Sequence, residues 1–299
     1  MQYVRGIPND FDIWESEYGA KNWSYANVLK YFIRSENQSD MEILSKRSQY
    51  HGRDGPLKLT STPYKNESFN IDFIKAVQTL GYDYQIELNS PPYSNKRIAY
   101  LQNTLTNGHR DSASFAFLES KKQYLRPNLH VLANSVVSKV LFDNNKRAIG
   151  VRFYRDGKFY QVNATKEIIL SCGAIESPKL LMLSGVGPKE HLQSKGIQVI
   201  ADLPVGKHLM THVIMSAIRL ADSPEHVWSL QNLYLYYLNG TGLLTKFGGF
   251  YPYSQFTTKY GDKPDIAIHT YGHQLINLLL HPLSKGKFQS VLQTNCVHQ

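Results

Sequence analysis

Small residues collect at one predicted turn, and their spacing is that of a site where a ligand lies against the backbone. Residues 166–187 read KEIILSCGAIESPKLLMLSGVG. The apolar run Ile168–Leu170 predicts a buried strand, and Ser177-Pro178 predicts an N-cap followed by proline at the first helical position. Gly173 and Ala174 fall between them, at the carboxyl end of the strand, where open α/β sheets bind ligands. Small residues at such a joint also let a helix pack on a strand without any ligand, and on the residues alone this second explanation is the more common.

Histidines are the other candidates for chemistry, because an imidazole can accept a proton or bind a metal. Among the eleven histidines, two pairs have H-x-x-x-H spacing, namely His208 with His212 and His269 with His273. On a helix each pair would share one face, but neither has the glutamate of H-E-x-x-H, and no C-x-x-C accompanies them. We therefore predict no metal site.

The elements that must position these residues alternate between helices and strands. Apolar periodicity and cap residues predict helices at Tyr25–Arg34, Phe69–Leu80, Ser112–Ser120 and Pro188–Gly196. Apolar runs predict strands at Tyr100–Thr104, Val136–Phe142 and Glu167–Leu170, and Asp156-Gly157 predicts the turn of a hairpin between Ile149–Tyr154 and Lys158–Val162. The side chains expected to face inward are Val28, Leu29 and Phe32 in the first helix, Phe69, Phe73, Val77 and Leu80 in the second, and Phe115, Phe117 and Leu118 in the third.

Composition indicates a globular protein. The 299 residues are 42% hydrophobic and 19% charged, and the net charge of +9 is spread along the chain without a nucleic-acid-binding motif. No apolar run is long enough to span a membrane, and the N-terminus lacks the apolar core of a signal peptide. Five N-x-[ST] sequons nevertheless favour a parent protein that enters the secretory pathway, so the sequence leaves localisation open.

The fifteen residues from Gly173 to Gly187 resemble the second signature of the glucose-methanol-choline (GMC) oxidoreductases, which are FAD-dependent enzymes that oxidise alcohols. Other segments are similar to motifs of the same family, in particular of its insect FAD glucose dehydrogenase-like branch: Met1–Gly6, Tyr50–Leu57, Asp202–His212 and His281–Gly286. The third of these departs from the family pattern at His208, Met210 and Thr211, where polar contacts near the cofactor edge are expected.

The resemblance implies FAD as the cofactor and a set of residues that contact it. It places the backbone of Val137 against the adenine, Gly173 and Ala174 beside the dinucleotide, and Met1 and Gln2 near the flavin ring. The substrate would be a small alcohol or sugar whose CH–OH group gives up a hydride to the flavin, while the electron acceptor stays open. The alternative is a non-catalytic binding protein derived from the same fold.

Two chemical parts of the family pattern do not appear in this sequence. One is the glycine-rich loop that binds the FAD pyrophosphate, and the other is the histidine pair that takes the alcohol proton. None of the eleven histidines lies in the catalytic motif, and His51 matches a positioning residue, so we assign no catalytic residue. We therefore expect an internal fragment that retains FAD poorly and turns over no alcohol alone.

The predicted fold class is α/β, with an incomplete FAD-binding Rossmann-like domain and an antiparallel-sheet substrate domain. Residues 1–214 are expected to form the FAD-binding region, and residues 215–288 part of the substrate domain. Residues 289–299 are polar and unlike the family, and are expected to be a divergent tail.

Overall fold

The computed structural model describes residues 2–61, 68–93, 96–119, 127–219, 229–246, 252–256, 264–271 and 274–289. The α-helices within these ranges are α1 Pro8–Ser16, α2 Tyr25–Ser35, α3 Met41–Arg47, α4 Ser68–Thr79, α5 Gly173–Leu183, α6 Lys189–Ser194 and α7 Leu230–Asn239. The strands are β1 Gln2–Tyr3, β2 Glu36–Gln38, β3 Leu57–Ser61, β4 Asp83–Tyr84, β5 Arg97–Tyr100, β6 Gln102–Asn103, β7 Leu105–Thr106, β8 His109–Arg110, β9 Val136–Phe142, β10 Ala148–Arg155, β11 Lys158–Asn163, β12 Val186–Gly187, β13 Ala201–Asp202, β14 Val213–Arg219, β15 Pro252–Phe256, β16 Ile266–Tyr271 and β17 Gln274–Leu279. Of the helices in these ranges, none is long and apolar enough to cross a bilayer.

The chain divides into two compact units, and each unit combines separate stretches of sequence. Unit 1 contains Met1–Leu129 and His212–His281, and unit 2 contains His130–Thr211 and Pro282–Gln299. The predicted division after residue 214 therefore does not follow the compact units, and as a sequence boundary it stays a prediction.

The described part of unit 1 contains the small two-stranded sheet β7-β8 and two larger sheets. A four-stranded sheet has the order β1-β6-β3-β2, and a six-stranded sheet has the order β14-β17-β16-β15-β5-β4. The larger sheet is antiparallel except for the β4–β5 pair. The antiparallel sheet expected after residue 215 is therefore present, but it also includes β5, from much earlier in the chain. The same region contains helix α7, which the β-rich composition did not predict.

Helix α2 shows how apolar periodicity positions the elements of unit 1. Val28 is buried with Phe11 and Tyr25, and Leu29 and Phe32 pack against this cluster. Helix α4 uses Ile74 and Val77 in the same way against β5. The predicted helices at Tyr25–Arg34 and Phe69–Leu80 are therefore confirmed to within one residue at each end. Leu80 is the exception within them: it is 67% exposed, because the helix ends at Thr79 and Leu80 lies in the turn before Gly81.

Unit 2 contains a three-stranded antiparallel sheet of order β11-β10-β9 that packs with helix α5. The predicted strand Val136–Phe142 is confirmed, and the predicted hairpin turns at Asp156 and Gly157. Both residues have positive φ angles, +48° and +77°, as a two-residue type I′ turn requires.

The predicted strand Glu167–Leu170 is wrong. These residues make no strand ladder with any described strand, and Ile169 is 76% exposed. Apolar composition alone does not make a strand, because a strand needs a hydrogen-bonded neighbour. The helix start predicted at Ser177-Pro178 is also wrong, since α5 begins at Gly173 and Pro178 lies inside it. The Ser177 hydroxyl instead accepts a hydrogen bond from the backbone N–H of Cys172, at 3.0 Å.

Two further elements differ from prediction. The segment expected to be a helix at Ser112–Ser120 forms a short π-helix at Phe115–Glu119, and Ser120 lies outside the described residues. Ala116 is buried there, whereas Phe115 and Phe117 are 40% and 45% exposed. The wider π turn changes which side chains face inward, so a 3.6-residue period selects the wrong ones. The predicted strand Tyr100–Thr104 is divided between β5 and β6.

The loop after α3 depends on a glycine that touches the end of α2. A Cβ atom built on Gly52 would lie 1.8 Å from the carbonyl oxygen of Ile33, which is backbone and cannot swing away. We expect Gly52→Ala to lower the free energy of unfolding by about 3 kcal/mol or more, because the loop must move off the helix. Gly286→Ala is the control, since its Cβ would meet Leu209 at an ordinary 3.4 Å and should cost less than about 0.5 kcal/mol. Equal melting temperatures for the two variants would contradict this contact.

Candidate functional site

The start of α5 presents an open backbone surface in unit 2. Gly173 and Ala174 are both exposed. Gly173 has a φ angle of +89°, and a Cβ atom added to it would meet nothing within 4 Å. Nearby charge is balanced, because the Lys179 ammonium lies 2.9 Å from the Glu176 carboxylate. This surface can accept a flat or extended ligand without moving a side chain.

Strand β9 is the second part of the unit 2 surface. It lies at an edge of its sheet, so its outer backbone groups are not used by any strand of the described residues. One of them, the Val140 N–H, donates to the Ser184 hydroxyl at 2.8 Å, and this hydroxyl donates to the Leu180 carbonyl at 2.6 Å. These bonds fix β9 to the end of α5. Val137 is 38% exposed on the same strand, so the structure brings Val137, Gly173 and Ala174 into one unit on mutually packed elements.

The remaining predicted contact residues belong to unit 1. Met1 lies outside the described residues, and Gln2 is exposed in β1, opposite Asn103 of β6. The next residue is anchored, because the Tyr3 hydroxyl donates to Glu36 Oε1 at 2.5 Å. Gln2 is therefore an exposed residue at the end of β1, and the residue next to it, Tyr3, is held in place by Glu36.

A buried charged cluster holds β1, and sequence reasoning did not find it. Arg5 donates to Glu36 Oε1 from Nε at 3.0 Å and also from Nη2, and both side chains are completely buried. Arg5 Nη2 also donates to the Tyr50 carbonyl at 2.8 Å. The two charged residues are 31 positions apart, so no local spacing indicates that they meet.

His51 continues the cluster between two carboxylates. Its Nδ1 lies 3.0 Å from Glu36 Oε2, and its Nε2 lies 3.6 Å from Glu87 Oε1. Glu87 also accepts hydrogen bonds from the Asn89 N–H and the Ser90 hydroxyl. A completely buried imidazole with a carboxylate on each side holds neighbouring segments together, which fits the positioning role that the sequence indicates for His51.

Electrostatics determine the charge states in this cluster. Burial alone would lower the pKa of His51, but the hydrogen bond with Glu36 and the contact with Glu87 outweigh it and raise the pKa above the ordinary histidine value. Burial would raise the pKa of Glu36 and of Glu87, but the His51 hydrogen bond and the Arg5 charge lower the pKa of Glu36, and the contact with His51 and the Ser90 hydrogen bond lower that of Glu87. With His51 protonated, the two positive charges of Arg5 and His51 balance the two carboxylates.

The histidine pairs form no shared helical face. His208 and His212 lie outside the helices, and the His212 ring nitrogen Nδ1 is 3.0 Å from the Leu279 carbonyl oxygen. His269 is in strand β16, and His273 lies outside the described residues. In the described part of the chain, no three or more histidine, cysteine, aspartate or glutamate residues form a cluster that could bind a metal.

Comparison with known proteins identifies the family. The family model described as GMC oxidoreductase matches residues 1–214. Ecdysone oxidase of Bombyx mori is 36% identical over 279 residues, covering 90% of this chain and 40% of that protein. Glucose dehydrogenase [FAD, quinone] of Drosophila pseudoobscura pseudoobscura is 34% identical, covering 89% of this chain and 42% of that protein. The chain belongs to the GMC oxidoreductases, which confirms the resemblance of its motifs.

Solved structures show the same fold. An FAD-dependent oxidoreductase from Chaetomium thermophilum superposes with a TM-score of 0.80 at 22% identity, covering 96% of this chain and 60% of that one. Pyridoxine 4-oxidase from Mesorbium loti gives a TM-score of 0.76 at 23% identity, covering 97% and 56%. The predicted fold class is confirmed at this level. The chain spans less than half the length of the curated relatives described above.

The charged cluster predicts a stability maximum in mildly acidic solution. Because the folded pKa of His51 is raised, its stabilisation is full below the unfolded histidine pKa of about 6.5 and is lost as pH rises through the folded value. The lowered pKa values of Glu36 and Glu87 act oppositely: their contribution is full above about pH 4.5 and is lost as pH falls through the folded values. The melting temperature should therefore fall on both sides of this window.

The variant His51→Gln tests this assignment. It should lower the free energy of unfolding by about 3–5 kcal/mol within the window and remove most of the fall on the alkaline side, because the imidazole between Glu36 and Glu87 is no longer present to titrate. His130→Gln is the control, since His130 is exposed. The measurement is chemical denaturation at intervals from pH 4 to pH 9. An alkaline fall that persists unchanged in His51→Gln would show that another group causes it.

Proposed function

We propose that the protein containing this chain is an FAD-dependent oxidoreductase that removes a hydride from the CH–OH group of a small alcohol or sugar. The observation that carries the proposal is the family match over residues 1–214. The matched region includes the motif in which Gly173 and Ala174 are exposed at the start of α5. The curated relatives named above are oxidases or dehydrogenases, which supports the same reaction class. The electron acceptor and the particular alcohol stay outside the proposal.

Unit 2 supplies the proposed contacts of this chain with the adenine and the dinucleotide part of FAD. The edge position of β9 leaves backbone groups near Val137 for the adenine, and the empty space beside Gly173 allows the dinucleotide to lie close to the chain. The assignment of Met1 and Gln2 to the flavin ring rests on the family resemblance alone. Bound FAD would supply the hydride acceptor.

In this proposal, the residues of this chain bind and orient the cofactor. The exposed start of α5 and the edge of β9 provide binding surface, while the Ser184 hydroxyl holds β9 and α5 together. Removal of the hydroxyl proton needs a base near its working pH, and no described histidine is assigned to that step. His51 is unsuited to it, because it is completely buried and paired with Glu36.

The cofactor assignment can be tested at Gly173 with a matched glycine as control. We expect Gly173→Leu, made in the whole protein that carries these residues, to reduce bound flavin about tenfold or more, because the side chain would occupy the space of the dinucleotide. The positive φ of Gly173 adds strain to any substitution, so Gly196→Leu serves as control: Gly196 also has a positive φ, +68°, and open space beside it. The ratio of flavin to protein absorbance after purification is the readout. Equal flavin loss in both variants would remove Gly173 from the cofactor site.

The reaction class is tested by dye reduction. The flavin-loaded whole protein should reduce an artificial electron acceptor with glucose or a simple alcohol, and the flavin band should bleach when the substrate is added without acceptor. A protein that binds FAD stoichiometrically and reduces no acceptor with any tested alcohol or sugar would instead support the non-catalytic binding protein.

A further inference from the structure

Glu36 joins the N-terminal strand to the buried charges of unit 1. Its Oε1 accepts from the Tyr3 hydroxyl and from two nitrogens of Arg5, and its Oε2 accepts from His51 and, at 3.4 Å, from the Gly52 N–H. The residue is completely buried. Both carboxylate oxygens are therefore committed, and each faces a different segment of the chain.

Asn89 holds the same strand from its backbone. Its Oδ1 accepts from the Arg5 N–H at 2.8 Å, and its Nδ2 donates to the Tyr3 carbonyl at 3.1 Å. The same Nδ2 group donates to Gln102 Oε1 at 2.6 Å. Residues 3–5 are thus fixed by side-chain contacts to Glu36 and by main-chain contacts to Asn89.

Strand β1 needs this support because its own ladder is short. It pairs with β6 at only two positions, Gln2 with Asn103 and Tyr3 with Gln102. Side chains alternate along a strand, so the half-buried Tyr3 fixes the opposite direction for the exposed Gln2. A buried ion pair seldom adds more stability than apolar residues would, but its directed hydrogen bonds select one arrangement.

We propose that Glu36 is a positioning residue for the flavin site: through Tyr3 and Arg5 it fixes the direction in which Gln2 meets the flavin ring. This inference rests on the proposed function, since it takes Gln2 as a flavin contact. Loss of the Glu36 charge would leave Arg5 buried without its counter-ion and free β1 to shift. The flavin would then bind to a displaced Gln2, which changes the surroundings of the ring more than the affinity for the whole cofactor.

The test is Glu36→Gln, which keeps the side-chain shape and removes the charge. In the flavin-loaded whole protein we expect a displaced flavin absorbance and circular dichroism band, a shifted reduction potential and a kcat that falls more than KM rises. In the cofactor-free protein, the Arg5 amide should exchange its hydrogen about tenfold faster or more. This second measurement needs no activity.

A comparison variant tests whether the effect depends on this particular carboxylate. Glu42→Gln changes an exposed carboxylate that pairs with Lys46 on α3, and should alter none of these quantities. A wild-type protein that binds no flavin overturns the proposed function and this inference together. A wild-type protein that binds flavin, with the same band, potential and Arg5 exchange in Glu36→Gln, overturns this inference alone.

Discussion

The Glu36 carboxylate is the interaction on which unit 1 depends. Removing two charges from water is costly, and the cost is offset only where every lone pair finds a donor. Glu36 meets that condition by accepting from three side chains and one backbone N–H, which come from the N-terminal strand and from the loop at residues 51–52. Segments far apart in sequence are therefore brought together by one acceptor.

Glycines make that arrangement possible. The loop can reach Glu36 only because Gly52 and Gly55 have no side chain where they pass the end of α2, against Ile33 and Ser35. The Gly52 carbonyl then accepts from the Gln38 N–H at 2.9 Å, and the Gly55 N–H donates to the Glu36 carbonyl at 2.8 Å. The H-G-x-x-G spacing of this motif thus has a physical explanation. His51 supplies the charge that pairs with Glu36, and the glycines allow the loop to pass close to the end of α2.

The sequence predicts those parts of the fold whose cause is local. The Asp156-Gly157 turn, the strand Val136–Phe142 and the apolar face of α2 each follow from neighbouring residues, and the structure confirms them. Glu167–Leu170 fails because a strand also requires a partner, which composition does not reveal. The pairing of Arg5 with Glu36 has no sequence signal at all, since a long-range ion pair leaves no periodicity. Of the predicted cofactor contacts, Gly173, Ala174, Val137 and Gln2 are all accessible to solvent. That these residues contact FAD stays a prediction.

The order in which the sheet of unit 1 is assembled follows from its connectivity. Strand β5, at residues 97–100, takes its antiparallel neighbour β15 from residues 252–256, and residues 130–211 of unit 2 lie between them. During synthesis on the ribosome, β5 therefore emerges well before one of its edges can be paired. Its Ile98 and Tyr100 can already pack on Ile74 and Val77 of α4, and its other edge can pair with β4. Residues 130–211, the larger part of unit 2, emerge in that interval, and Pro282–Gln299 follow only after β15. Nascent unit 1 therefore has to keep a half-built sheet shielded by α4 until β15 is made.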